Sequence, residues 1–103
     1  NLNNRALGMV KQWQDMQYGG RYSSISYEDS LPDFVKLAES FGHVGLKVEK
    51  FSELNAAMEE AFSLKDKLVF LDVLIDPDEH VYPMLEAGGS MSEMRISKKD
   101  KTF

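Results

Sequence analysis

Eight consecutive residues, Leu68-Val69-Phe70-Leu71-Asp72-Val73-Leu74-Ile75, are almost all apolar, and several of them are β-branched. Such a run is typical of a central strand in a parallel sheet, which is covered on both faces. Upstream, Val44–Glu49 alternates apolar residues with others and predicts a second strand with one buried face. A helix predicted between the two strands would complete a parallel βαβ unit, so the chain is predicted to be an α/β protein.

Three helices are predicted around these strands. The first runs from about Ala6 to Gln17 and ends at paired glycines. The second begins at Pro32 and stops at Gly42. The third, the crossover helix, is predicted to begin with Ser52 as its N-cap. The expected buried residues of the second and third helices follow helical spacing and are Phe34, Leu37, Ala38, Phe41, Leu54, Ala57, Met58, Ala61 and Phe62.

The predicted sheet is incomplete with two strands alone. Leu2-Asn3-Asn4 resembles the end of a further strand, which predicts that the chain is the C-terminal part of a larger α/β domain. The roughly 28 residues after Ile75 show no periodicity, which is long for an irregular segment within a compact domain. They are predicted to pack on a partner or to end in disorder, and 95–103 is the predicted disordered tail.

Composition excludes several classes of protein. The chain has 103 residues, 17 acidic against 12 basic, and a formal charge of −5, which argues against nucleic acid or an anionic membrane as partner. It contains no cysteine, so disulfides, thiolate metal sites and cysteine nucleophiles are excluded. No apolar run is long enough for a transmembrane helix. These features favour a reducing, cytosol-like compartment.

Asn3 and Asn4 lie where a strand is predicted to give way to a helix. Open α/β sheets bind ligands at the carboxyl ends of their strands, and helix N-termini attract phosphate. The amide oxygen of asparagine is a hard neutral ligand that suits Mg²⁺ beside phosphate oxygens. The alternative is that both asparagines only cap the helix.

Other polar and aromatic residues carry weaker signals. Met9 and Trp13 lie one helical turn apart and form either the wall of a substrate pocket or ordinary core. His43 and His80 have no partner at metal-ligand spacing, so a surface or capping role is expected for both. Glu59 and Glu60 are expected on a solvated helix face.

Residues 2–14, LNNRALGMVKQWQ, resemble the segment N-N-x-x-x-G-M-V-x-Q-W-Q of acetolactate synthase (acetohydroxyacid synthase) catalytic subunits. The likeness continues through 18–23, 31–39, 42–45, 81–84 and 88–89, and so covers about 1–94. In thiamine diphosphate enzymes the asparagine pair closes a metal-binding motif that opens with G-D-G about thirty residues earlier. That first half is absent from this sequence.

The resemblance implies a fold and a set of site residues. Residues 1–94 would form the C-terminal portion of the thiamine diphosphate-binding domain, with a C-terminal arm from about residue 77. The Asn4 side chain and the Ala6 carbonyl would bind Mg²⁺. The residues lining the cofactor would be Asn4, Arg5, Ala6, Leu7, Gly8 and Met9, and those lining the substrate pocket would be Met9, Val10, Trp13, Ala87 and Gly88.

The resemblance also implies an activity. The parent enzyme would decarboxylate pyruvate and join the product to pyruvate or 2-ketobutyrate, in branched-chain amino-acid biosynthesis. It would hold FAD outside this segment and form a homodimer or homotetramer, with a small regulatory subunit as a further partner. A bacterial-type cytoplasmic location is expected, with the plastid as the alternative. The segment supplies no catalytic acid or base, so the isolated chain is expected to be inactive. Two alternatives remain: another thiamine diphosphate-dependent decarboxylase or carboligase, and a stand-alone α/β domain that binds a phosphate ligand.

Overall fold

The computed structural model describes residues 1–99 and contains a parallel three-stranded sheet. Its strands are β1 (Leu2–Asn3), β2 (Val44–Val48) and β3 (Val69–Leu74), in the order β1-β3-β2. β3 pairs in parallel with both neighbours, and Leu46 and Val48 of β2 face Leu71 and Val73. The predicted α/β class, the central position of the apolar strand and the strand at Leu2–Asn3 are therefore confirmed.

The chain divides into two compact units. The first comprises Asn1–Leu7 and Ser26–Pro77, and contains the sheet with helices α2 (Phe34–Ser40) and α3 (Leu54–Ser63). The second comprises Gly8–Ile25 and the described part of Asp78–Phe103, and contains helix α1 (Gly8–Tyr18) and the C-terminal arm. Among residues 1–99, no helix is both long and apolar enough to span a bilayer.

α2 begins two residues later than predicted, because Asp33 is its N-cap and accepts a hydrogen bond from the backbone N–H of Lys36 at 3.1 Å. The ring of Phe34 stacks on Phe70 of β3 with centroids 5.6 Å apart, which fixes the helix on the sheet. Phe41 was expected in the buried stripe but is 75% exposed, because the helix ends at Ser40 and the chain turns at Gly42 with φ 77°.

The backbones of α2 and β2 approach each other closely at Gly45. A Cβ atom at this position would lie 2.6 Å from the Cα of Val35 and 2.7 Å from its carbonyl oxygen. Only glycine fits here without displacing the helix.

The start of α3 differs from the prediction. A short 3₁₀ turn, Phe51–Glu53, precedes the helix, and the Glu53 carboxylate accepts hydrogen bonds from the backbone N–H groups of Glu49 and Lys50 at 3.0 and 3.1 Å. Ser52 lies inside this turn, so it is not the N-cap of α3; that position is Glu53, whose side chain does not cap the helix. Met58 and Phe62, expected to be buried, are exposed on the helix.

In the second unit, α1 begins at Gly8 and ends at Tyr18, and it is followed by Gly19 and Gly20, whose φ values are 60° and 71°. The arm is irregular apart from an antiparallel bridge between Met84 and Arg95 and a 3₁₀ turn at Met91–Glu93. Of the tail predicted at 95–103, residues 100–103 lie outside the described residues, and the boundary after residue 94 stays a prediction.

Candidate functional site

The turn that follows β1 is built by two asparagine side chains. The Oδ1 of Asn3 accepts a hydrogen bond from the backbone N–H of Arg5 at 3.1 Å, and the Oδ1 of Asn4 accepts one from Ala6 at 3.2 Å. Each side chain binds the N–H two residues ahead of it, which is the pattern of an Asx turn. Because both bonds end before α1 begins at Gly8, the two asparagines do not cap that helix as the alternative interpretation required.

Arg5 lies at the centre of this turn in the left-handed region, with φ 55°. This conformation is uncommon outside glycine and costs about 1 kcal/mol or more. The carbonyl of Arg5 accepts a hydrogen bond from the backbone N–H of Tyr27 at 2.9 Å, and Ala6 forms an antiparallel bridge with Ser26. The loop at residues 26–27 therefore holds the strained residue in place.

A buried carboxylate lies beneath the turn. Asp72 of β3 is 4% exposed, and its oxygens accept hydrogen bonds from the side-chain amides of Asn1 at 2.7 Å and Asn3 at 3.4 Å. Sequence reasoning did not assign Asp72 to the site. The available signal was a single charged residue inside an otherwise apolar strand.

These residues can supply part of a magnesium site. The Oδ1 of Asn4 uses one of its two lone pairs on Ala6 and keeps the other. The hydrogen bonds of the turn use the N–H groups of Arg5 and Ala6 and the carbonyl of Arg5, so none of them occupies the Ala6 carbonyl. Residues 1–99 contain no cluster of three His, Asp or Glu side chains that could hold a metal. The neutral oxygens of Asn4 and Ala6 could therefore be two of the roughly six oxygen ligands that Mg²⁺ takes.

Arg5 adds a feature that fits an anionic cofactor. Its Nε is buried and has no hydrogen-bond partner within residues 1–99. A buried donor without a partner costs about 1–3 kcal/mol, so such a group is expected to meet an acceptor. Oxygens of a diphosphate would serve.

The other predicted site residues lie on or near α1 and on the arm. Gly8 and Met9 begin α1, and Leu7 directly precedes it. Met9 is 47% exposed, Val10 is similarly exposed, and Trp13 is half-buried, so Met9 is not a core residue of this chain. Ala87 and Gly88 are exposed in a turn closed by the hydrogen bond from Gly89 N–H to the Glu86 carbonyl at 3.0 Å. Their pocket roles stay predictions.

A cluster of charged side chains joins α1 to the arm within the second unit. The ammonium group of Lys11 is buried, and it donates hydrogen bonds to Asp78 and to the hydroxyl of Tyr22, the latter at 3.2 Å. The hydrogen bond to Asp78 is the main reason that the pKa of Lys11 is raised, and the desolvation of burial opposes it. Burial pushes the pKa of Asp15 upward, but the Tyr22 hydroxyl and the charge of Lys11 outweigh it and lower that pKa.

His80 and Gln12 complete the contact. The His80 side chain is 3% exposed and its Nε2 lies 2.9 Å from an oxygen of Asp15, so the surface role expected for it is wrong. Gln12 is 1% exposed and clamps the backbone of Val81: it donates to the carbonyl at 2.8 Å and accepts from the N–H at 2.9 Å. Sequence reasoning missed these polar contacts, whose partners lie far apart in the chain.

Residues 1–73 match the family described as thiamine pyrophosphate enzyme, C-terminal TPP binding domain. The chain therefore belongs to this family of thiamine diphosphate enzymes. Within it, the chain is similar to acetolactate synthase large subunits, which confirms the resemblance noted in the sequence.

Two relatives illustrate the extent of the similarity. The chain is 60% identical over 97 residues to the acetolactate synthase large subunit of Haemophilus influenzae, covering 94% of this chain and 17% of that protein. It is 56% identical over 104 residues to the acetolactate synthase isozyme 3 large subunit of Escherichia coli, covering 99% of this chain and 18% of that protein. The chain thus spans about a sixth of the length of the curated relatives it matches.

Proposed function

We propose that this chain is the part of an acetolactate synthase large subunit that holds the metal and the diphosphate of thiamine diphosphate. The enzyme would decarboxylate pyruvate and join the remaining two-carbon unit to a second 2-ketoacid, either pyruvate or 2-ketobutyrate. The observation that carries the proposal is the Asx turn at Asn4, which follows β1 at the carboxyl end of a parallel strand. This is the position at which open α/β sheets bind ligands.

In this proposal each residue of the turn has a defined role. The Asn4 side chain and the Ala6 carbonyl would hold Mg²⁺ as two of its roughly six oxygen ligands. Residues Asn4 to Met9 line the cofactor, and the buried Nε of Arg5 donates to an anionic oxygen. Thiamine diphosphate, when bound, supplies the electron sink that decarboxylation requires.

The substrate pocket is assigned to α1 and the arm. Trp13 is half-buried. Met9 lies one helical turn before it, Val10 lies three residues before it, and both are exposed. Their apolar surface suits the side chain of the second 2-ketoacid. Ala87 and Gly88 lie on the arm and would border the mouth of the pocket.

The remaining properties of the complete enzyme are proposed from the chain's similarity to acetolactate synthase large subunits. The isolated chain would be inactive, because it supplies two neutral metal ligands and no catalytic acid or base. FAD, a homodimer or homotetramer of large subunits, a small regulatory subunit and a cytoplasmic location all belong to the complete enzyme. Isoleucine, valine and leucine biosynthesis is the pathway we propose for it.

The proposal is tested in the large subunit that carries this segment. With pyruvate and 2-ketobutyrate offered together, Trp13→Leu should keep decarboxylation but lower the preference for the larger acceptor about tenfold, since a changed apolar pocket is worth about 1–3 kcal/mol. Leu54→Met, on α3, serves as the control and should leave the product ratio unchanged. Absence of thiamine diphosphate-dependent CO₂ release from the unmodified subunit would contradict the proposed function.

The isolated 103-residue chain offers a second test. Titration with thiamine diphosphate in excess Mg²⁺ should show no saturable binding. Micromolar binding would instead favour a self-contained phosphate-binding domain.

A further inference from the structure

Asp72 is a charged residue in the central strand of the sheet, and its burial needs a reason. Moving a carboxylate out of water is costly unless its oxygens are hydrogen-bonded. Both oxygens are satisfied, one by Asn1 and one by Asn3, and Asn3 is itself buried. The carboxylate therefore acts on the residue that shapes the turn at Asn4.

A carboxylate accepts hydrogen bonds and donates none, whereas an asparagine amide does both. Because Asp72 lies on one side of Asn3, the amide must turn its NH₂ group toward Asp72. Its oxygen then faces the backbone N–H of Arg5, at 3.1 Å. The reverse orientation would place two donors against each other at Arg5 and two acceptors against each other at Asp72.

We infer that Asp72 is a positioning residue for the metal site, acting through Asn3 on the turn that presents Asn4. Arg5 is strained at φ 55° and is held on one side by Asn3 and on the other by Tyr27. Asn4 lies between Asn3 and Arg5 in the chain. Loss of the Asn3 contact would let Arg5 relax and would move the Asn4 amide. The inference rests on the proposed function, because that proposal assigns the metal to Asn4.

Exchanging the side chains of Asn3 and Asp72 tests this role. Asn3→Asp places a second carboxylate against Asp72, at a contact that now measures 3.4 Å, and the repulsion should open the turn. Adding Asp72→Asn restores the pairing in reverse: the new amide at position 72 donates to the new carboxylate at position 3, which still accepts from Arg5. Asp72→Asn alone should be close to the unmodified protein, because Asn1 can turn over and leave an acceptor for Asn3. Asp72→Leu offers no acceptor and should behave like Asn3→Asp.

Two measurements are made on the large subunit that carries this segment. The first is the Mg²⁺ concentration that half-saturates thiamine diphosphate binding. It should rise about 10–100-fold in Asn3→Asp and in Asp72→Leu, the usual effect of losing a partner behind a metal ligand, and return close to the unmodified value in the exchanged pair. The second is hydrogen exchange of the Arg5 amide, which should accelerate in Asn3→Asp and in Asp72→Leu and return close to the unmodified rate in the exchanged pair. Asp66→Asn, an exposed charge change in the loop before β3, is the control and should alter neither.

The outcomes separate this inference from the proposed function. Rescue of both measurements by the exchanged pair supports the positioning role. An exchanged pair that stays as impaired as Asn3→Asp, or an Asp72→Leu variant with unchanged metal requirement and Arg5 exchange, overturns it. If the unmodified subunit binds thiamine diphosphate without Mg²⁺, the proposed metal site fails, and the Arg5 exchange pattern alone decides whether Asp72 sets the turn.

Discussion

The turn at Asn4 and the contact between α1 and the arm are both polar and partly buried, yet they are built differently. In the turn, side-chain amides donate hydrogen bonds to one buried carboxylate, and Arg5 is held in a strained conformation. In the arm contact, Lys11 forms ion pairs with Asp15 and Asp78, His80 Nε2 lies against Asp15, and Gln12 is hydrogen-bonded to the backbone of Val81.

The two regions position their residues by different interactions. Donor and acceptor matching fixes one orientation of the Asn3 amide, and with it the contact of its oxygen with the backbone N–H of Arg5. Ion pairs are less directional and respond to pH, which suits a contact that holds a segment without fixing a single atom.

The largest effect is expected in the sheet that carries the turn. Gly45→Ala should lower the free energy of opening at β2 by about 3 kcal/mol, because the added carbon meets the backbone of Val35 rather than a flexible side chain. Hydrogen exchange of the β2 amides measures this. Gly42→Ala is the control: its φ is 77° but nothing lies within 4 Å of the added carbon, so a cost of about 1 kcal/mol is expected. Equal effects at the two positions would show that the close approach at Gly45 is absent.

A somewhat smaller effect is expected in the arm contact. Gln12→Leu removes both hydrogen bonds to Val81 and should lower the free energy of local opening there by about 2 kcal/mol. Exchange of the Val81 amide would then accelerate about thirtyfold. Gln14→Leu is the matched control, since Gln14 makes the same two-point contact with the backbone of Ser23 in an exposed position. Its loss should change exchange at Ser23 only a few-fold, because water replaces the lost bonds.

The smallest effect is the response of the arm contact to pH. The pKa of Asp15 is lower in the folded protein than its ordinary value, so its contribution is present above the ordinary carboxyl range and is lost as the pH falls below about 4. The pKa of Lys11 is raised, so its contribution is lost only as the pH rises above the ordinary lysine range. Protection of amides 78–82, corrected for intrinsic exchange, should fall several-fold from pH 6 to pH 3. An Asp15→Asn variant with an equally steep pH dependence would exclude Asp15 as the cause.

The sequence predicted the features that local patterns determine. The apolar run at 68–75 indicated the central strand, which the structure confirms, because residue type and neighbours suffice for it. The asparagine pair after Leu2 indicated a turn after a strand, and its role as a metal site stays a prediction. Burial of polar side chains could not be predicted in the same way. Gln12 and Val81 are 69 residues apart, and only the fold shows that the Gln12 side chain has a backbone partner. Asp72 was likewise assigned only to a strand, since its partners, Asn1 and Asn3, lie about 70 residues away in and directly before β1.

We propose that the side chain of Asn4 is a ligand of the Mg²⁺ that accompanies bound thiamine diphosphate. Calorimetric titration of thiamine diphosphate into the large subunit at fixed Mg²⁺, with Asn4→Leu compared to Asn55→Leu, tests it most directly. Asn55 is an exposed asparagine of α3, so its replacement should leave the affinity unchanged. Asn4→Leu should weaken binding at least 100-fold, and added Mg²⁺ should restore part of it, because a lost neutral ligand lowers metal affinity first. Equal affinities and equal Mg²⁺ dependence in the two variants would contradict it.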